Sequence, residues 1–72
     1  MNIPTPQGME FREWSAVVAE QNAQYGILAP ENDDWAEWAS SLINNIQISH
    51  LPNPIGFAKW TDWAEQFYGC VR

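Results

Sequence analysis

Three stretches of this chain place aromatic, small or apolar residues at positions i, i+3, i+4 and i+7: Phe11, Trp14, Ser15 and Val18, then Trp35, Trp38, Ala39 and Leu42, then Trp60, Trp63, Ala64 and Phe67. That period sets all four positions on one face of an α-helix, so each stretch predicts a short helix with an aromatic stripe. The phrases share a grammar of aromatic, any residue, acid, Trp and small residue, and their copies start 24 (11 to 35) and 25 (35 to 60) residues apart. The acid before the second ring (Glu13, Glu37, Asp62) falls off the stripe and faces water. The small residue after it leaves room for a neighbouring ring or backbone.

The connectors repeat as well. Ile3-Pro4-Thr5-Pro6-Gln7-Gly8 and Leu51-Pro52-Asn53-Pro54-Ile55-Gly56 share a pattern of apolar, Pro, cap residue, Pro, any residue and Gly. Thr5 and Asn53 suit the N-cap, and the proline after each suits a first helical position. Ile27-Leu28-Ala29-Pro30 is a shorter connector whose proline plays the same part. The fold expected is all-α, with three short amphipathic helices over about 6–24, 31–44 and 54–68, in an open, partner-stabilised arrangement or closed on one another. The chain reads as one small domain, 1–72, built of three related repeats over about 4–26, 28–45 and 52–69.

Helix one is expected to turn Tyr25 inward and to stop at Gly26 in a left-handed conformation. Glu31, Asp33 and Asp34 then fall in the first turn of helix two, where the positive end of the helix dipole favours negative charge. This accounts for the acidic cluster without a metal, since a calcium loop needs alternating Asp or Asn, a glycine and a distal Glu. Gly69 is expected to end helix three, leaving Cys70-Val71-Arg72 as a tail. Residues 46–51 alternate apolar with polar, which predicts an extended segment that either packs as a linker or adds to a sheet of another molecule.

Composition narrows the function. Seventy-two residues lie where a single core is only marginally sufficient, so partners or further copies of the chain are natural sources of stability. A net charge of −6, with Arg12, Lys59 and Arg72 as the three basic side chains, argues against direct nucleic-acid binding. The same charge argues against an anionic lipid surface, and no apolar run has the length of a membrane span. The start, Met1-Asn2-Ile3-Pro4, lacks the basic and apolar regions of a signal peptide, so export by that route is not expected.

Candidate chemistry is sparse. His50 and Cys70 are the single His and Cys and stand in different predicted elements, and no glycine-rich loop cradles a phosphate. No enzyme activity, metal or cofactor is expected. One cysteine cannot form an internal disulfide, so Cys70 is either a reduced thiol near the end or a cross-link to another chain. The side chains expected to carry packing or partner contact are Phe11, Trp14, Trp35, Trp38, Leu42, Trp60, Trp63 and Phe67, because large rings dominate both cores and interfaces.

The run of Pro, short spacer and Trp-x-x-Trp-Ala with following apolar residues resembles segments of small virion-associated proteins of tailed bacteriophages. The residues that carry the likeness are Pro30 with Trp35, Trp38, Ala39, Leu42 and Ile43, and Pro54 with Trp60, Trp63, Ala64, Phe67 and Tyr68; the first copy departs from it at Phe11 and Ser15. The resemblance implies a non-enzymatic minor component of a virion, expected to dock through its Trp-rich helices on or between larger proteins of a symmetric assembly, with homo-oligomerisation as a further option. The other expectation, from charge alone, is an acidic inhibitor that covers the basic, nucleic-acid-binding surface of a host protein. Outside a virion, the location expected is the cytoplasm.

Overall fold

A computed structural model describes residues 2–46, 48 and 50–71 of the chain. It contains three α-helices, α1 (Phe11–Gln21), α2 (Trp35–Asn45) and α3 (Trp60–Val71), with short 3-10 turns at Ala23–Tyr25 and Pro54–Gly56. The fold is all-α, as the stripes predict. Each helix begins on the first aromatic of its phrase.

These starts lie four to six residues later than the predicted 6, 31 and 54, and the connectors explain the delay. A helix running from Pro6 would set residues 4 and 14 about 15 Å apart along its axis. Instead the indole Nε1–H of Trp14 donates to the carbonyl oxygen of Pro4 at 2.9 Å, so the connector doubles back beside the helix it precedes. Pro6 therefore opens a turn, closed by the Met9 N–H on the Pro6 carbonyl at 3.2 Å, with Gly8 supplying a φ of 77° that other residues resist. Pro54 leads a single 3-10 turn. Thr5 Oγ1 accepts from the Gln7 N–H and Asn53 Oδ1 from the Ile55 N–H, so both cap these local turns rather than α-helices.

Helix α2 starts differently because its connector lacks that cap. Asn32 accepts from the Asp34 N–H at 2.9 Å, and Asp34, the N-cap, accepts from the Glu37 N–H at 3.2 Å. Glu31 and Asp33 thus precede the helix instead of forming its first turn. Glu13, Glu37 and Asp62 do occupy first turns, which gives the repeated acid a favourable dipole interaction as well as water.

The C-terminal boundaries shift too. Helix α1 ends at Gln21: the Val18 carbonyl accepts both the Asn22 backbone N–H at 3.1 Å and its side-chain Nδ2–H at 2.9 Å, and the Asn22 backbone then leaves the helical region at φ −129° and ψ 34°. Tyr25 is exposed rather than inward, and Gly26, at φ 76°, closes the 3-10 turn and not α1. Gly69 does not stop α3. Helical bonding continues to Val71, which is buried, so residues 70–71 are helix and not tail. Burying the valine outweighs the roughly 1 kcal/mol that a mid-helix glycine costs.

No strand occurs among the described residues. Ile46 is buried and extended, but Ile48 is exposed and His50 has a φ of 66°, which breaks an extended run. The expected alternation over 46–51 also covers Gln47 and Ser49, which lie outside the described residues. The radius of gyration, 10.8 Å, matches the roughly 11 Å of a compact domain this long, so the helices close on one another rather than standing open.

Candidate functional site

The aromatic phrases meet in one centre. Phe11 packs against Trp38 with ring centroids 5.6 Å apart, Trp35 against Trp63 at 6.2 Å, and Trp60 against Trp14 at 5.6 Å. The leading ring of each repeat therefore touches the second ring of the next, and the third repeat returns to the first. Trp14 also meets Trp38 and Trp63 edge to face, at 5.8 and 6.2 Å, and Trp63 stacks on Phe67 at 5.0 Å. Edge-to-face and offset contacts at these distances are the favoured arrangements of aromatic quadrupoles.

Polar atoms of the centre are used internally. The Trp38 Nε1–H donates to the Leu28 carbonyl at 2.8 Å and the Trp63 Nε1–H to the Pro52 carbonyl at 2.9 Å, repeating the Trp14 to Pro4 bond. The three acceptors lie ten, ten and eleven residues before their donors, so one bond type latches each connector onto its own helix. No buried side-chain nitrogen or oxygen among the described residues lacks a partner.

Of the side chains singled out in the sequence, Phe11, Trp14, Trp38, Leu42, Trp63 and Phe67 are buried, while Trp35 and Trp60 are half-buried against them. Ser15, Ala39 and Ala64, the small residues of the three phrases, are all fully buried, which is where neighbouring rings need room. Cys70 is exposed on α3.

Other residues of the centre were not singled out. Ile3 and Ile27 are buried and Leu51 is half-buried; each stands one residue before a latching carbonyl. Extending the repeat backward from Trp14, Trp38 and Trp63 would have aligned them. Asn22 is buried and polar where the corresponding positions, eight after each second Trp, hold Ile46 and Val71. Its Nδ2 donates to the Asn2 carbonyl at 2.8 Å and its Oδ1 accepts from the Asn2 N–H at 3.4 Å, tying the start of the chain to the end of α1.

Outside this centre the molecule is acidic. All nine carboxylates are exposed, and Arg12 is already committed to Asp33 at 3.2 Å. No group of three His, Cys, Asp or Glu side chains among the described residues is placed to hold a metal ion. No helix among them is long and apolar enough to cross a membrane. An open groove of about 490 Å³ runs between the connector after Gly26 and α2, bordered by Leu28, Trp38 and Leu42 and by the carboxylates of Glu31, Asp34 and Glu37.

The arrangement defines a small all-α protein of three latched repeats around an aromatic centre. No protein-family model matches the chain, and neither a curated protein nor a solved structure matches it.

Proposed function

We propose that this chain is a non-enzymatic structural and interaction protein, a minor component of a tailed-phage particle that sits on or between larger proteins of the assembly. The observation that supports this reading is the use of the rings: Trp14, Trp38 and Trp63 are buried against one another and spend their indole N–H groups on the chain's own backbone. A molecule built this way offers a rigid shape and an acidic exterior, and partner contact runs over that exterior instead of along the stripes. Gradient-purified particles of the phage encoding the chain should contain it at a fixed ratio to the major structural proteins by quantitative mass spectrometry. Its absence from particles, with the chain abundant in the infected-cell lysate, would refute the virion assignment.

A second reading is favoured by the exposure of all nine carboxylates: an acidic inhibitor that covers a basic, nucleic-acid-binding surface. Such binding competes with DNA and weakens steeply with salt. Binding to a host protein that persists unchanged at high salt counts against it.

A further inference from the structure

The second repeat differs from the other two at the residue whose carbonyl forms the latch. Pro4 and Pro52 are half-buried and give their carbonyl oxygens to Trp14 and Trp63; Leu28 gives its carbonyl to Trp38 in the same way, yet its side chain is 79% exposed. The latch fixes the backbone of Leu28, so this apolar side chain stands at the edge of the 490 Å³ groove on an anchored segment. Glu31, Asp34 and Glu37 line the same groove, and no Lys, Arg or His among the described residues does. Toward the end of α2, Ser41 and Asn44 provide polar groups that suit a peptide backbone, while the Asn45 Nδ2–H donates to the Gly26 carbonyl at 3.4 Å and ties the two walls together. The acidic stretch already takes a cation from elsewhere in the chain, since Arg12 of α1 reaches Asp33 at 3.2 Å just outside the groove.

We propose that the groove between residues 26–32 and α2 is a docking site for a short basic segment of a protein partner, in which an apolar side chain packs on Leu28 and Trp38 while flanking Arg or Lys side chains meet Glu31, Asp34 and Glu37. The proposal rests on the reading that this protein meets its partners through its acidic exterior, and it places that contact on one face. Charge complementarity selects the occupant: the full set of groove carboxylates repels an acidic segment, and the apolar edge discriminates against one that is only charged.

The test uses the full chain and a short fluorescein-labelled peptide of alternating arginine and leucine, followed by fluorescence anisotropy at low salt and at about 0.15 M salt. The combined variant Glu31→Gln and Glu37→Gln, and separately Leu28→Ala, are each expected to weaken binding about fivefold. The combined variant Glu20→Gln and Glu65→Gln removes the same charge from helix surfaces outside the groove and should bind like the parent, as should Ile55→Ala, which trims an exposed apolar side chain elsewhere. Unchanged tryptophan emission confirms that each variant is folded. Equal losses in the two charge variants, with Leu28→Ala indistinguishable from Ile55→Ala, would overturn the groove and leave the acidic-exterior reading standing. No binding of the peptide by the parent at either salt concentration would overturn both.

Discussion

The ring of Trp60, the first residue of α3, lies 5.6 Å from that of Trp14 on α1, and this contact joins the last repeat back to the first. Phe11 on Trp60 at 5.7 Å, and Trp14 on Trp63 at 6.2 Å and on Phe67 at 6.5 Å, join the same two repeats, while Phe11 on Trp38 and Trp35 on Trp63 tie in the second. Each repeat thus lends one ring forward and receives one from behind. A chain whose repeats satisfy one another in this way needs no outside surface to cover its stripes.

The latches can be weighed one at a time. Replacing Trp14, Trp38 or Trp63 by Phe keeps a ring but leaves the carbonyl of Pro4, Leu28 or Pro52 without its donor, and each should cost about 1–2 kcal/mol. Trp38→Ala removes the ring as well and should cost about 3–5 kcal/mol, enough to leave a domain of this size largely unfolded. Urea denaturation followed by circular dichroism measures both. A Trp38→Ala variant as stable as the parent would mean that the ring is not core.

His50 stands one residue before Leu51, as Gly26 stands one before Ile27, and both are left-handed, at φ 66° and 76°. A side chain in that region carries a backbone penalty, so His50→Gly should stabilise the fold by about 0.5–1 kcal/mol. Gly26→Ala should destabilise it by about 1 kcal/mol, purely through the backbone, since a Cβ there meets nothing within 4 Å. Opposite signs for the two changes in thermal or urea melts would establish that the connectors share this bend.

Gly69 offers the reverse case. It lies within α3, and a Cβ added there meets nothing within 4 Å, so Gly69→Ala should raise stability by about 0.5–1 kcal/mol. If the variant is instead destabilised, the last turn of α3 is not helical in solution.

Asn22 holds the first residues of the chain, and Asn22→Ala should release them. The expected loss is about 1–2 kcal/mol, with faster amide exchange around Ile3 and faster proteolytic trimming of residues before Pro6. Exchange at Ile27, which depends on a different helix end, should change much less.

Charge sets the response to salt. With a net charge of −6 and every carboxylate on the surface, self-repulsion opposes the compact state, so adding sodium chloride should raise the thermal midpoint. A midpoint that falls with salt would mean that specific ion pairs outweigh repulsion; the one at Arg12 and Asp33 is too exposed for that.

Much of the fold could be read along the chain. The stripes identified the three helices because the period of an α-helix is a local property, and Phe11, Trp14, Trp35, Trp38, Trp60, Trp63 and Phe67 all belong to them, while Phe57 and Tyr68 pack against the centre from outside the stripes. Local preferences of single residues are legible too, such as Gly26 in a left-handed bend. The structure departs from the sequence pattern where a distant contact overrides such a preference. Pro6 and Pro54 are good first residues of a helix, yet the connectors must stay unwound for Trp14 and Trp63 to reach Pro4 and Pro52. Gly69 is a good stop, yet Val71 is drawn into the core by continuing past it. The burial of Asn22 has no local signature, because a polar residue at a helix end signals only a cap until its partner is known.

By itself, then, the order of residues determined that there are three helices, that each carries a row of rings, and that the acids face away from those rings, because backbone period and side-chain polarity act within a few neighbours. Tertiary structure alone decided that the rows face inward in a closed circle, that each connector is bound to its own helix by an indole N–H, and that Leu28 is left outside beside an acidic groove. Those outcomes depend on which groups come within a few ångströms across ten or more residues, and the geometry of the assembled chain is what brings them there.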